Sequence, residues 1–131
     1  MRIPGAPLEV GHVYVAPGGA YHTEITGGTL RRCRLVEDEK MSGHRPSVDR
    51  LFHSVARWAG ASAVGAILTG MGADGAQGLK AMRDKGAMTI GQDADSCVVY
   101  GMPAAAFQMG AVTAQLPLSK IAARLMAECR A

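Results

Sequence analysis

Three cysteines in 131 residues, Cys33, Cys97 and Cys129, are odd in number and include no C-x-x-C pair. That spacing suits neither a disulfide framework nor a zinc site, and a reducing, cytoplasmic setting is expected. Long apolar runs are missing as well. None approaches the roughly 18 residues of a membrane span, and the leading stretch MRIPGAPLEVG lacks the apolar segment of a secretion signal, so no membrane insertion is expected. Clustered cations are scarce. Fourteen Lys and Arg against 11 Asp and Glu give a net charge of +3, yet only Arg31, Arg32 and Arg34 stand close together, with Glu37, Asp38 and Glu39 just after them. Phosphate-backbone binding needs several clustered cations, so no nucleic-acid partner is expected. Internal repeats and low-complexity linkers are also absent. What is present, 48% hydrophobic and 19% charged residues, is the composition of a folded globular chain and, by length, of one domain over residues 1–131.

Periodicity outlines that domain. Residues 1–11, with Pro4, Gly5, Pro7 and Gly11, read as a loop leading to a short strand over 12–16 that Pro17-Gly18-Gly19 stops. Strands near 21–26 and 29–35 flank Gly27-Gly28, the signal for a tight hairpin whose turn positions want positive φ. After a loop over 42–46, Ser47 can cap a helix carrying Val48, Leu51, Phe52, Val55, Ala56 and Ala59, with Gly60 as its left-handed stop. The run 63–69 is continuously apolar, as in a strand covered on both faces. A helix over 75–85 ends at Gly86, and 87–91 is a second buried strand. Pro103 suits the first turn of a short helix ended by Gly110, and Ser119 can cap a last helix through Ile121, Ala122, Leu125 and Met126. The fold class is α/β: a mainly parallel sheet with helices on both faces, joined by right-handed crossovers, plus a β-hairpin.

One loop stands out chemically. ILTGMGADGAQGLK, residues 67–80, holds a G-x-G-x-x-G between a strand and a helix, with Asp93 and Asp95 about 20 residues beyond it, where a ribose-reading acid would lie in a dinucleotide site. Against a dinucleotide, Asp74 would share the helix N-terminus with the pyrophosphate, and two anions there repel. The alternative is a loop that presents the Asp74 carboxylate at the carboxyl end of a strand, where reacting groups collect in open α/β sheets. A plain structural role also exists. Asp74 lies three residues before Gln77, so D-x-x-Q can form a capping box on its own helix, in which Asn would replace Asp at a cost of about a few tenths of a kcal/mol. A cap, however, has no need of Gly70, Gly72 and Gly75 together. Elsewhere Ser42 and His44 share a loop without a strained strand-to-helix turn around them, and His12, His22 and His53 suggest nothing by spacing. No set of His and Cys has metal-ligand spacing, so no metal or cofactor is implied.

GHVYVAPGG (11–19), HRPSVDRLFHSVA (44–56), ILTGMGADGAQGLKAM (67–82) and GQDADSCVVYGMP (91–103), in this order, resemble the chemotaxis protein-glutamate methylesterase family, CheB, over about Gly11 to Leu125. The resemblance implies a parallel α/β domain that hydrolyses glutamate methyl esters on the cytoplasmic helices of methyl-accepting chemoreceptors, and deamidates certain glutamines, through a Ser-His-Asp triad. Asp74 matches the family's triad aspartate in T-G-M-G-x-D-G, and Met71 matches the methionine near the nucleophile; Gly70 and Gly72 complete that active-site loop. The family's S-x-G-G nucleophile turn and Q-H-M-P-like base segment precede the region resembling GHVYVAPGG, and neither occurs here; nor does a receiver domain. The chain is therefore expected to be the C-terminal part of a methylesterase domain, inactive alone, and to expose a sheet edge along 63–69 through which it self-associates. Two other functions stay open: a receptor-binding remnant without catalysis, and a dinucleotide-binding module using Gly70–Gly75.

Overall fold

The computed structural model of the protein describes residues 5–27 and 30–130. Two three-stranded sheets flank a pair of helices. The first is antiparallel, in the order β1 (Ala6–Pro7), β3 (Arg32–Val36), β2 (His22–Thr26). Its hairpin differs from the tight turn expected. Thr26 pairs with Arg32, six positions on, and β3 starts three residues later than the sequence pattern suggested. Gly27 has no positive φ; the Trp58 ring lies where a side chain at Gly27 would stand, so contact rather than turn geometry requires the glycine. Gly28 lies outside the described residues. The strand expected over 12–16 does not form: Val13 and Val15 are exposed, and the leading loop supplies β1 instead.

Helix α1 (Val48–Trp58) forms where the 3.6-residue stripe placed it. Ser47 is its N-cap, accepting from the Arg50 amide, and Gly60 adopts φ +52 just beyond its end. One side of α1 packs on β2. There Arg50 bonds to Glu24, which also pairs with Arg34. Burial pushes the Glu24 carboxyl up, but the guanidinium groups of Arg50 and Arg34 outweigh it and hold the carboxyl below its ordinary value.

The opposite side of α1 packs on α2 (Ala76–Asp84), which lies over the second sheet. That sheet is parallel, in the order β4 (Val64–Ile67), β5 (Met88–Gln92), β6 (Ala114–Leu116). The three-residue β6 escapes the sequence pattern because Ala-Gln-Leu is too short to show a period. Leu79 and Met82 of α2 fill the space over Gly65, and Ala106 of α3 (Met102–Gln108) completes this core with Ile67. Ile90 points to the opposite face by alternation, the side covered by α4 (Leu118–Cys129), whose Ile121 is also buried. Ser119 does not cap α4, which begins one residue before it, after Pro117. Strand β4 is buried only at alternate residues, not on both faces, and pairs with β5 on one side alone among the described residues. No helix of the described chain is long and apolar enough to cross a membrane.

The two central helices lie in close contact at Gly78. A methyl group built there would lie 2.6 Å from Phe52 Cβ and 3.1 Å from the Asp49 carbonyl oxygen. In an isolated helix Ala would be better than Gly by about 1 kcal/mol. Here overpacking, typically about 1–3 kcal/mol, opposes that gain. Gly78→Ala is accordingly expected to lower the free energy of urea unfolding; an unchanged or higher stability would show that α1 and α2 do not approach this closely.

Candidate functional site

Asp74 sits where β4 hands over to α2, at the carboxyl end of the parallel sheet. The loop that carries it is shaped by its glycines. At Gly70 a side chain would strike Met102 Sδ at 2.5 Å, and the Gly70 carbonyl accepts from the Gly101 and Met102 amides. Gly72 takes φ +92, and Gly75 takes φ +103 with Val48 Cγ1 2.9 Å from the position of a methyl group. The start of α1 can therefore lie directly against the loop. Met71 points outward, 82% exposed, at the rim. The Thr69 amide donates to Gln92 Oε1 at 2.7 Å, and Thr69 Oγ1 donates to the Val99 carbonyl, so the rim is tied to the segment after β5.

The carboxylate of Asp74 does not cap its own helix. Its Oδ1 accepts from Ser47 Oγ at 2.8 Å and from the Asp49 amide at 2.9 Å, and its Oδ2 accepts from the Val48 amide at 2.8 Å. All three donors belong to the start of α1. The expected capping box with Gln77 is absent: α2 has Gly75 at its N-cap position and no side-chain cap bond from it. Physically, a carboxylate two residues before α2 reaches outward to a neighbouring helix end as readily as back to its own. Asp49, in the first turn of α1, performs the matching service for α2. Its Oδ1 accepts from the Gly78 amide at 2.8 Å, and its Oδ2 accepts from Ser42 Oγ at 2.7 Å. Both acids are buried, Asp74 5% exposed and Asp49 1%.

A serine, a histidine and an aspartate do meet here, in an order that serves no nucleophile. His22, fully buried, lies beside Ser47, and its Nδ1 accepts from the Ser47 amide at 3.2 Å. That places the ring proton on Nε2, which donates to the Glu39 carbonyl at 2.7 Å. The Ser47 hydroxyl faces the carboxylate, not the imidazole, so nothing removes its proton. Sequence spacing gave no sign of His22. Asp49 did leave one: it falls three and seven residues before Phe52 and Ala56, on the apolar stripe, and an acid on such a stripe is a buried acid. Ser42 and His44 do not combine, since the Ser42 hydroxyl is committed to Asp49 and His44 is exposed.

Beside the two acids opens a cavity of about 290 Å³, lined by Ser42, Asp49, Asp74, Gln77 and Met109 among others. A larger hollow of about 630 Å³ lies across α1, against Glu24, Arg34, Arg50 and Trp58, away from this loop. Two arginines there are already paired with Glu24. The first turn of α2 is likewise occupied. Its Gly78 amide is taken by Asp49, which argues against a pyrophosphate at this G-x-G-x-x-G.

The donor pattern separates the two acids experimentally. An amide at 74 that keeps its oxygen toward Ser47 and Asp49 turns N–H against the Val48 N–H, and a buried unsatisfied donor costs about 1–3 kcal/mol. At 49 the Ser42 hydroxyl can turn and accept from an amide, so only charge at a helix N-terminus is lost, about 0.3–1 kcal/mol. Asp74→Asn is expected to destabilise the protein more than Asp49→Asn in urea unfolding. The reverse order would contradict the bonding described.

The sequence profile of the CheB methylesterase family matches residues 3–125. The protein-glutamate methylesterase/protein-glutamine glutaminase 1 of Caulobacter vibrioides is 62% identical over 117 residues, 89% of this chain and 34% of that protein. The protein-glutamate methylesterase/protein-glutamine glutaminase of Rhizobium etli is 56% identical over 122 residues, 93% of this chain and 35% of that protein. The chain thus spans about a third of these relatives. The solved structure of the Thermotoga maritima CheB methylesterase catalytic domain superposes with a TM-score of 0.91 at 31% identity, over 96% of this chain and 67% of that one. A match of this extent, together with the α/β fold and the Gly-rich loop at the sheet's carboxyl end, shows that the chain belongs to the CheB methylesterase family.

Proposed function

We propose that this chain forms the acid-bearing, C-terminal portion of a methylesterase domain that acts in the cytoplasm on glutamate methyl esters of methyl-accepting chemoreceptors, with glutamine deamidation as a related activity. The observation that carries the reading is the bonding of Asp74. A carboxylate offers about four acceptor positions. Three are filled by Ser47, Val48 and Asp49, and the second position on Oδ2 has no partner among the described residues. An acid held on three sides and open on one suits a fixed partner for one further N–H donor. The relatives' names supply the ester and amide chemistry.

In the proposed reaction that donor is the ring N–H of a histidine brought by the part of the domain beyond this chain's span, or by another chain. The other ring nitrogen removes the proton of a serine, whose oxygen attacks the ester carbonyl of the glutamyl side chain. Methanol leaves with the proton returned by the imidazolium, and water then releases the carboxylate by the same steps. Asp74 fixes the tautomer and balances the imidazolium. Met71, Gly70 and Gly72 form the rim past which the substrate reaches these groups. Among the described residues of this chain no serine hydroxyl is hydrogen-bonded to a histidine.

Self-association belongs to the same reading. Among the described residues strand β4 has an unpaired edge, and Leu68, Met71 and Val98 are exposed near its carboxyl end. Such an edge is a template for another strand. Light scattering at tens of micromolar is expected to detect oligomers, and a monodisperse monomer would count against an open edge.

The functional test uses the chain alone and the chain completed with serine- and histidine-bearing segments from a family member. Methylated receptor is expected to yield methanol only with the completed protein. Asp74→Asn in it is expected to lower kcat by about 10⁴, the loss seen in the serine-protease template, when assayed well below its melting temperature. Undiminished activity would remove Asp74 from the reaction. Receptor capture without methanol release from the completed protein would favour a non-catalytic binding role.

A further inference from the structure

Beyond the acid itself, and resting on the proposed role of Asp74, we infer that Ser47 is a positioning residue that holds the plane of the Asp74 carboxylate so that its one open acceptor position faces the incoming base. The torsion that turns a carboxylate about its Cβ–Cγ bond is soft, so covalent structure does not fix the carboxylate plane. The donors around it must. Oδ1 receives two, the Ser47 hydroxyl and the Asp49 amide, and Oδ2 receives one, the Val48 amide. This two-to-one division leaves the open acceptor position on Oδ2. Without the hydroxyl, two amides alone hold the plane, and each oxygen has an open position.

Ser47 is itself fixed at both ends. Its hydroxyl donates to Asp74 and accepts from the Arg50 amide at 3.4 Å, and its own amide donates to His22 Nδ1. His22 is anchored in turn by the Glu39 carbonyl. The serine is 2% exposed, so water does not substitute freely for its hydroxyl. A relay therefore runs from the Glu39 carbonyl through His22 and Ser47 to Asp74. Its serine touches neither substrate nor base, and it acts through the aspartate.

The test measures kcat, KM and melting temperature in the completed domain for Ser47→Ala, Ser47→Thr, Val112→Ala and Asp74→Asn. Val112 lies in the core over Gly91, away from the acids, so its truncation controls for lost stability. Ser47→Ala is expected to lower kcat by about 10–100-fold, the scale of an ångström-sized misplacement, with KM unchanged. Ser47→Thr, which keeps a hydroxyl, is expected to recover most of that loss, and Val112→Ala to keep full kcat despite its lower melting temperature. Equal kcat for Ser47→Ala and the parent protein, or equal losses for Ser47→Ala and Val112→Ala, would overturn the positioning role. If Ser47→Thr does not fold, the comparison of the two alanine variants still decides. Should Asp74→Asn retain full activity, the triad reading itself fails. Loss in Asp74→Asn with none in Ser47→Ala refutes only the relay.

Discussion

Two helix N-termini meet at the centre of this protein, and each is capped by a carboxylate from the other helix's segment. Asp74, just ahead of α2, binds the first amides of α1, while Asp49, in the first turn of α1, binds the Gly78 amide of α2. Both acids are buried, and a buried carboxylate without partners would cost several kcal/mol. Each helix start instead offers about half a positive charge and amides that need acceptors. The crossed arrangement satisfies both needs at once. Removing either acid exposes an opposite requirement in the other helix, which is why these two segments, 25 residues apart, behave as one structural unit.

That constraint dictates the glycines around it. Helix ends can exchange side chains only if their backbones nearly touch, and Gly75 and Gly78 leave room for Val48, Asp49 and Phe52. The loop following β4 is consequently not a flexible phosphate cradle. It is a rigid mount, tied at Gly70 to Gly101 and at Thr69 to Val99, with one acid held facing inward. A group whose orientation is set by three hydrogen bonds is pre-organised.

Much of this was legible in the sequence, and the failures have physical causes. The stripe from Val48 to Ala59, the left-handed glycines ending α1 and α2, and the apolar parallel strands all follow from local periodicity and cap chemistry. Asp74 could be singled out because its glycine neighbours exceed what a cap needs. Its partner could not, since a cap made across space leaves the same D-x-x-Q pattern as one made along the chain. His22 was silent because a buried, bonded histidine in a short strand has no period. Residues 12–16 show strand-like alternation, yet alternation only permits a strand; here no strand forms and Val13 and Val15 face outward. Strand β6 was too brief to declare itself.

The crossed capping is the claim from which the site geometry follows, and scalar coupling through hydrogen bonds reads it directly. In isotopically labelled protein, the backbone nitrogens of Val48 and Asp49 are expected to couple to the Asp74 carboxylate carbon, and that of Gly78 to the carboxylate carbon of Asp49. Coupling of the Asp74 carboxylate to Gln77 or Gly78 instead would mean that it caps its own helix, and the account of how the acid is held would be wrong.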